Sequence, residues 1–491
     1  MEQPSKLPEP FTPTFSMEHA SLHIDDRPRE ECGVVGVSGL DSASESAFLS
    51  LYALQHRGQE AAGIFTFDED GPHILKGAGL VGDVFDKWSL RKLLGRTAVG
   101  HVRYSTSGGN DLDNVQPIIA RYSRGNIALA HNGNLTNHFD LRKRLVDEGA
   151  IFRTTSDSET LIHLIAKSRH DSIDAQVDDA LTHLEGAYSI VLAIDNVIYA
   201  ARDPRGFRPL VLGQKGEGHI VASETCALDI LGADFVRDVE PGEVIKIVDG
   251  TVEKLRSLPS ADQPAPCVFE LVYFARPDSR ISGISVDRAR RAFGRRLASE
   301  HPVEADAVIA VPDSANSAAL GFAECSGIPF ELGMLRNHYI GRTFINPSQK
   351  DRDFGARMKY NPVREVVEGK RVVVVDDSLV RGTTSRSLVR MLRKSGAAKV
   401  HFRIGSPPVR WPCFYGIDMP TKGELIGSAL SVKEIEEKLG VDSLGYLSLD
   451  GMLEAVAETG PYCTACFSGD YPAPLVDVDK GFVSEQGPTN C

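Results

Sequence analysis

The sequence predicts two fold classes in one chain: a domain that mixes strands and helices, followed by an α/β domain built on a parallel sheet. Three observations predict this. The chain has 491 residues, too many for one ordinary domain and enough for two or three. Its first patterned segment, Cys32-Gly33-Val34-Val35-Gly36-Val37, alternates apolar and small residues as a strand does. Far downstream, residues 371–377 read RVVVVDD. A continuous β-branched run marks a strand buried on both faces, which belongs to a parallel sheet.

Composition narrows the function. Hydrophobic residues at 42% and charged residues at 25% are ordinary for a folded soluble protein. No apolar stretch approaches the ~18 residues of a membrane helix. A net charge of −13 without a long basic run argues against nucleic acid as a partner. Eight cysteines are too few for a disulfide-stapled scaffold of this length. They read as cytosolic thiols, ligands or nucleophiles, and the expected location is cytoplasmic.

Residues 1–31 are unlike the rest of the chain. They hold Pro4, Pro8, Pro10, Pro13 and Pro28 among scattered acids. They lack the basic start and apolar core of a secretory signal and are too acidic for a mitochondrial transit peptide. They read as a disordered tail or as a propeptide. The choice turns on Cys32. A cysteine at the start of a strand is usually a small buried hydrophobe. If the chain is cut between Glu31 and Cys32, the freed α-amino group, with an ordinary pKa of ~8, can serve as base to its own thiol.

Four further polar, Gly- or Ser-rich segments come after possible strands or helices: QHRGQEAAG at 55–63, after a helical stripe of Phe48, Leu51 and Leu54; GHVRYSTSG at 100–108; AHNGN at 130–134; and TSDSE at 155–159. Each alone reads as a turn. Together they suit one ligand. A free amino acid amide needs a cation for its carboxylate, an anion for its ammonium and donors for an oxyanion. Arg103, Asp157, and Asn132 with nearby backbone N–H groups supply them.

CGVVG at 32–36, HRGQE at 56–60, GHVRYSTSG, HNGNL at 131–135 and TSDSE resemble the class II glutamine amidotransferase domain, over about residues 32–260. The resemblance implies an N-terminal-nucleophile α+β fold, an αββα sandwich of two antiparallel sheets covered by helices. It implies that Cys32 attacks the glutamine side-chain amide and releases ammonia. Arg103 and Asp157 would hold the amino acid head, Asn132 and the Gly58 N–H would form the oxyanion hole, and Gly133 would touch substrate.

SLPSADQPAP at 257–266 marks a linker or domain edge. Two strand–loop–helix units come next. Residues 306–311 (DAVIAV) lead into PDSANS and an Ala/Leu-rich segment ending near Gly327. The 371–377 strand leads into SLVRGTTS, after which Leu388, Val389 and Leu392 share one helical face and Gly396 suits the helix end. A strand ending in two carboxylates before a Gly/Thr/Ser loop can bind phosphate at the loop and helix start, with the acids engaging ribose hydroxyls and a hard cation. The blander reading is a generic Rossmann-like strand end. A Walker lysine and a dinucleotide glycine fingerprint are both missing from this loop, which disfavours ATPases and dehydrogenases.

VVVVDDSLVRGTTS at 372–385 resembles the 5-phosphoribosyl 1-diphosphate (PRPP) motif of the type I phosphoribosyltransferases. The resemblance implies that Asp376 and Asp377 contact ribose and magnesium, with Ser314 completing the metal site. Ser378, Arg381, Gly382, Thr383, Thr384 and Ser385 would contact PRPP, the last three residues cradling the 5′-phosphate. Residues 342–361, RTFINPSQKDRDFGARMKYN, are basic in an acidic chain. They read as a solvated face or, beside a phosphate loop, as a lid over diphosphate; the lid is preferred. Arg342, Gln349 and Lys359 of this segment join the expected PRPP contacts.

The CxxC at Cys463 and Cys466 is the one local cysteine signal, and alone it could be redox, zinc or accidental. Four soft thiolates suit zinc or an iron–sulfur cluster equally. The contexts APCVFELVYFARPDS (265–279), WPCFYGIDMP (411–420) and YCTACFSG (462–469) resemble the iron–sulfur, propeptide-bearing branch of the glutamine PRPP amidotransferase family. That implies one [4Fe–4S] cluster per subunit on Cys267, Cys413, Cys463 and Cys466, structural rather than redox-active, and one Mg²⁺ per subunit. Cys226 and Cys325 are expected to be buried or neutral, and Cys491 a free tail thiol.

Both halves together imply a glutamine-dependent pentosyltransferase. It would convert L-glutamine, PRPP and water to 5-phospho-β-D-ribosylamine, diphosphate and L-glutamate, the committed step of de novo purine synthesis. Family resemblance further implies a homotetramer inhibited by purine nucleotides. Expected boundaries are a leader over 1–31, an amidotransferase domain over 32–262, a phosphoribosyltransferase domain with the cluster cysteines over 263–470 and a tail over 471–491. Two rivals are weighed. A sugar-phosphate aminotransferase is disfavoured by the PRPP motif. A non-catalytic PRPP sensor is disfavoured because lid and glutamine-site residues are both present.

Overall fold

The structure is a computed structural model. It describes residues 32–104, 112–258, 261, 263–337, 359–419, 421–457 and 460–476. The expected leader, Arg342, Gln349, most of the basic segment and Cys491 lie outside the described residues.

The first half is a sandwich of two antiparallel sheets. One has the order β11-β9-β10-β1-β4-β2-β3, with β1 Gly33–Ser38, β2 Ala61–Asp68, β3 Gly71–Ala78, β4 Thr97–Arg103, β9 Val211–Lys215, β10 Gly218–Ala222 and β11 Asp234–Asp238. The other runs β13-β12-β8-β7-β6-β5, with β5 Ile118–Tyr122, β6 Gly125–Leu135, β7 Gly186–Ile194, β8 Val197–Arg202, β12 Glu243–Val248 and β13 Thr251–Ser257. Period-two alternation sorts the side chains of β1 into two cores. Val34 points between the sheets with Val99, Val191 and Ile198. Val35 and Val37 point outward onto Ala47, Leu51 and Leu54, in and just after helix α1 (Ala43–Ala53). On the other side, Ile127 and Leu129 of β6 pack against Leu141, Leu161, Ile165 and Val177. Those residues come from α2 (His138–Asp147), α3 (Glu159–Lys167) and α4 (Ile173–Leu181). The layers are therefore αββα.

Two short antiparallel pairs, β14 Arg280–Ile281 with β15 Ile284–Ser285 and β17 Met334–Arg336 with β18 Tyr360–Pro362, accompany the second half. That half is built on a parallel sheet of order β16-β19-β20-β21: β16 Ala307–Ala310, β19 Arg371–Asp376, β20 Lys399–Ile404 and β21 Ser443–Tyr446. Val372 and Val374 of β19 pack into one core, Val373 and Val375 into the other, all with no exposure. Burial of each contributes ~1.5–3 kcal/mol, so the valine run commits this strand to the sheet centre. Helices α5 (Val286–Glu300) and α6 (Asn316–Ser326) cover one side. Helix α7 (Thr383–Lys394) places Leu388, Val389 and Leu392 on the other core. Both strand–loop–helix units run as predicted, α6 ending at Gly327 (φ 72°) and α7 just before Gly396 (φ 93°). Among the described residues, no helix is long and apolar enough to cross a membrane.

Candidate active site

Cys32 stands at the head of β1, and its half-buried thiol donates to the Tyr104 carbonyl at 3.4 Å, just past β4. Burial pushes the thiol up to about 11, against the Arg103 cation, which favours thiolate; Asp157 and Glu60 add to the rise. The nucleophile, cation and anion of the sequence reading thus share one electrostatic neighbourhood. Pairing of Gly33 with Val102 brings Arg103, at the end of β4, beside Cys32. Gly58 packs on this strand end so closely that a Cβ there would meet the Val102 carbonyl carbon at 2.6 Å and Arg103 N at 2.7 Å.

Asn132 lies mid-strand in β6 with no exposure, and neither of its side-chain amide atoms has a hydrogen-bond partner among the described residues. A buried amide left in that state awaits a polar group. Asp157 is buried at the mouth of α3. One carboxylate oxygen accepts from Leu135 N at 3.0 Å, the other from Ser158 Oγ at 3.1 Å, and His131 Nδ1 lies 3.7 Å away. Burial alone would raise its pKa, yet His131 and the Leu135 N–H hold it well below the usual carboxylate range. It is therefore an anion at neutral pH.

The second cluster forms where β16 and β19 end side by side. Asp376 and Asp377 are buried, Asp377 N donates to Asp376 Oδ1 at 3.0 Å, and Ser378 Oγ donates to Asp377 Oδ1 at 2.8 Å. Ser314, 63 residues earlier, donates from Oγ to Asp377 Oδ2 at 2.5 Å. The loop then turns at Gly382 (φ 80°) into α7, which starts with exposed Thr383, half-buried Thr384 and buried Ser385. Arg381 pairs with Glu424 at 3.3 Å. Lys359 lies beside Tyr360, its ammonium 5.5 Å from the ring centroid.

The third cluster brings Cys267, Cys413, Cys463 and Cys466 together from three segments. Cys267 and Cys463 form a parallel bridge. Burial pushes Cys267 up to about 11, with Cys413 adding to the rise; Cys463 and Cys466 are pushed higher by burial and by the other thiols of the set. Four thiols in a dry site cannot all ionise unless a cation joins them. In chemistry, though not in spacing, four thiols are the donor type that a soft metal centre takes. Among the described residues, no group of three or more His, Cys, Asp or Glu stands at metal-holding spacing. Cys226 is buried as expected. Cys325, expected to be buried or neutral, is exposed on the last turn of α6, near Ser299 at 3.4 Å, so of the two alternatives burial falls.

Comparison with known proteins decides what joins these clusters. Residues 101–229 match the family model described as a glutamine amidotransferase domain. The amidophosphoribosyltransferase of Vigna aconitifolia is 52% identical over 455 residues, which cover 92% of this chain and 93% of that one. The amidophosphoribosyltransferase of Bacillus subtilis is 48% identical, covering 91% of this chain and 95% of its own. The chain belongs to the amidophosphoribosyltransferase family. Two solved structures agree, each with 48% identity, a TM-score of 0.86 and 90% coverage of this chain. One is described as the allosteric regulatory enzyme of purine biosynthesis and matches over 97% of its length. The other is the Bacillus subtilis glutamine PRPP amidotransferase in complex with ADP and GMP, matched over 98%. The two-domain fold is the family's fold, and the protein is an enzyme of that class.

The expected cytoplasmic location does not stand. Amidophosphoribosyltransferases from Vigna aconitifolia, Glycine max and Arabidopsis thaliana, among the most similar relatives, are chloroplastic. The expectation rested on thiol content and on the lack of a membrane span, and neither property distinguishes one reducing aqueous compartment from another.

Several charged groups escaped the sequence reading. Glu60 sat unassigned within HRGQE although its N–H donates to Arg103 O at 3.1 Å. Arg57, next to Gly58, is buried between Glu224, paired through Nε, and Glu270, paired through Nη2 at 2.5 Å. Burial would lower its pKa, but the two carboxylates raise it above its ordinary range. Arg290 of α5 is buried and donates to Leu271 O and Ala275 O at 2.9 and 2.8 Å. Glu224 and Glu270 lie 167 and 213 residues from Arg57, so no local pattern could have announced them.

Proposed function

We propose that this chain makes 5-phospho-β-D-ribosylamine from L-glutamine, PRPP and water, releasing diphosphate and L-glutamate, and that the three clusters divide the work. The observation that carries the reading is one chain holding both a thiol flanked by a cation and an anion and a carboxylate pair at a phosphate-type loop. Arg103 receives the glutamine carboxylate and Asp157 its ammonium. The Cys32 sulfur adds to the side-chain amide carbon. The oxyanion that forms is held by the Asn132 amide and the Gly58 N–H, with Gly133 against the substrate. Collapse of this intermediate expels ammonia and leaves a thioester, which water hydrolyses to glutamate. The thiol proton passes to the α-amino group of Cys32, which is free once the leader 1–31 is removed, and from there to the amide nitrogen as it leaves as ammonia. With its thiol raised by burial, the uncut chain holds a poor nucleophile, and this supports the propeptide reading.

At the second site the 5′-phosphate seats on Gly382, Thr383, Thr384 and Ser385 at the start of α7, where backbone N–H groups point outward. Ser378 and Arg381 line the same loop. Asp376 and Asp377 orient the ribose hydroxyls. With Ser314 they form an all-oxygen donor set that fits one Mg²⁺, which would neutralise the diphosphate. Ammonia displaces diphosphate at the ribose C1. Arg342, Gln349 and Lys359 are assigned to the departing diphosphate. Cys267, Cys413, Cys463 and Cys466 are proposed to hold one [4Fe–4S] cluster with a structural role. The amidotransferase domain is assigned to 32–262 and the transferase domain to 263–470, with 471–491 as a tail. Glutamine and PRPP are the substrates. The ADP and GMP bound by the Bacillus relative support feedback control by purine nucleotides. A homotetramer is the proposed assembly.

The test is diphosphate release from PRPP with magnesium, with glutamine and ammonia run in parallel on anaerobically purified protein. Release with both amines is the expected result. No release with either, from protein that binds PRPP and retains iron, would favour a PRPP sensor.

A further inference from the structure

We infer that the Cys413–Gly416 loop of the transferase half is a positioning element of the glutamine site: it buttresses the Asn132–Gly133 strand from behind. The inference rests on the assignment of Asn132 and Gly133 to that site.

The loop meets the strand backbone to backbone. A Cβ on Gly416 would lie 2.9 Å from the Gly133 carbonyl carbon and 3.0 Å from its Cα. Gly416 sits at φ 107° and Gly133 at φ 144°, so each holds a conformation that side chains disfavour. On its other side Gly133 is equally confined, since a Cβ there would meet Ala187 O at 2.0 Å. The strand is thus clamped between β7 and the loop. One residue further, Asn134 Nδ2 donates to Phe414 O at 3.0 Å across the same contact.

The loop itself is held from the far side. The Tyr415 hydroxyl donates to Ala473 O at 2.8 Å and accepts from Ala473 N at 2.9 Å. Its ring stacks on Phe207 with centroids 4.3 Å apart, and Arg208 donates to the Tyr415 carbonyl. Cys413, at the start of the loop, accepts from Tyr415 N at 3.3 Å. Anchors from both halves therefore fix where Gly416 presses. Interiors packed this tightly transmit displacement rather than absorb it. A shift at Gly416 moves Gly133 and, with it, the amide of Asn132. Misplacing a reacting group by about 1 Å can cost ~100-fold in rate.

Gly416→Ala in the full-length holoenzyme is the test. Glutamine-dependent product formation should fall about tenfold or more, while ammonia-dependent formation and iron per chain stay within about twofold. Equal loss of both activities, or retention of both, overturns the inference. Should Gly416→Ala fail to fold, Asn134→Ala decides, because it removes the tie without new backbone strain. It should lower glutamine-dependent kcat/KM about threefold or more and spare the ammonia reaction; an unchanged ratio of the two activities refutes the buttress. Failure of the underlying assignment would look different: wild-type protein would then lack glutamine-dependent release altogether.

Discussion

Replacing Asn132 by leucine should make the protein more stable and the glutamine reaction far slower. Asn132 has no exposure, and both of its amide atoms lack partners among the described residues. Each buried polar atom left unpaired costs ~1–3 kcal/mol. Leucine keeps the branched side-chain skeleton with bulkier methyl ends and no polar atom; relief of two unpaired atoms outweighs a crowding cost of ~1–3 kcal/mol, so the variant should gain about 1 kcal/mol. For a domain of this size that is a rise of ~2 °C or more in thermal midpoint. The lost donor acts only when the oxyanion forms, and removing such a donor costs about 100- to 1,000-fold in rate. The assay measures glutamate release, ammonia-dependent diphosphate release and thermal unfolding on one preparation. The ammonia reaction should be unchanged. A lower midpoint, or glutamine activity within tenfold of wild type, would refute the view that Asn132 is a donor held in waiting.

Cys32→Ser should abolish use of glutamine and spare ammonia; equal loss of both would contradict separate sites. Asp377→Asn should abolish product formation with either amine, because the change removes a charge from the Ser314–Asp376–Asp377 cluster; survival of the ammonia reaction would exclude Asp377 from the PRPP site. Glu270→Gln leaves the buried Arg57 and Arg208 guanidiniums without their shared carboxylate. Breaking such a pair costs ~3–5 kcal/mol, so the thermal midpoint of the intact chain should drop; an unchanged midpoint would mean the network contributes nothing. In a chain whose leader is retained, burial holds the Cys32 thiol up to about 11. Only the thiolate reacts with iodoacetamide, so alkylation of Cys32 should climb about tenfold per pH unit and level off near that value. A plateau near the ordinary ~8.5 would show that the site does not desolvate the thiol.

The parts of the molecule legible in the sequence are those where a local pattern is dictated by local physics. Four consecutive valines at 372–375 can only be satisfied by two-sided burial, and β19 has it. Cys32 at the head of an alternating strand and Gly396 beyond a helical stripe were legible for the same reason. The convergence of Arg103 and Asp157 on Cys32 was legible because one ligand's charges demand those groups together. What stayed hidden was what depends on contacts between the halves. Glu270 lies in a short helical turn that looks like ordinary core sequence, yet it neutralises an arginine 213 positions away. Cys325 left two readings open, buried or neutral, because no local pattern sets which way the last turn of α6 faces; it faces solvent.

The same hidden contacts explain why two chemistries share one chain. Ammonia must not be made when no acceptor is in place, so the glutamine site should be complete only when the transferase half is correctly formed. Two of its supports come from that half. Glu270 holds Arg57, the neighbour of Gly58, and the Cys413–Gly416 loop backs Gly133, the neighbour of Asn132. Both residues proposed as oxyanion donors are therefore braced by residues beyond position 266. The four cysteines lie where these supports meet: Cys267 is three residues before Glu270, and Cys413 opens the loop that ends at Gly416. Cys463 packs with Phe207, Ala187 and Tyr415 in a core shared by the two halves. A centre bound by those thiols would fix both supports at once, and its loss would loosen the oxyanion donors from two directions.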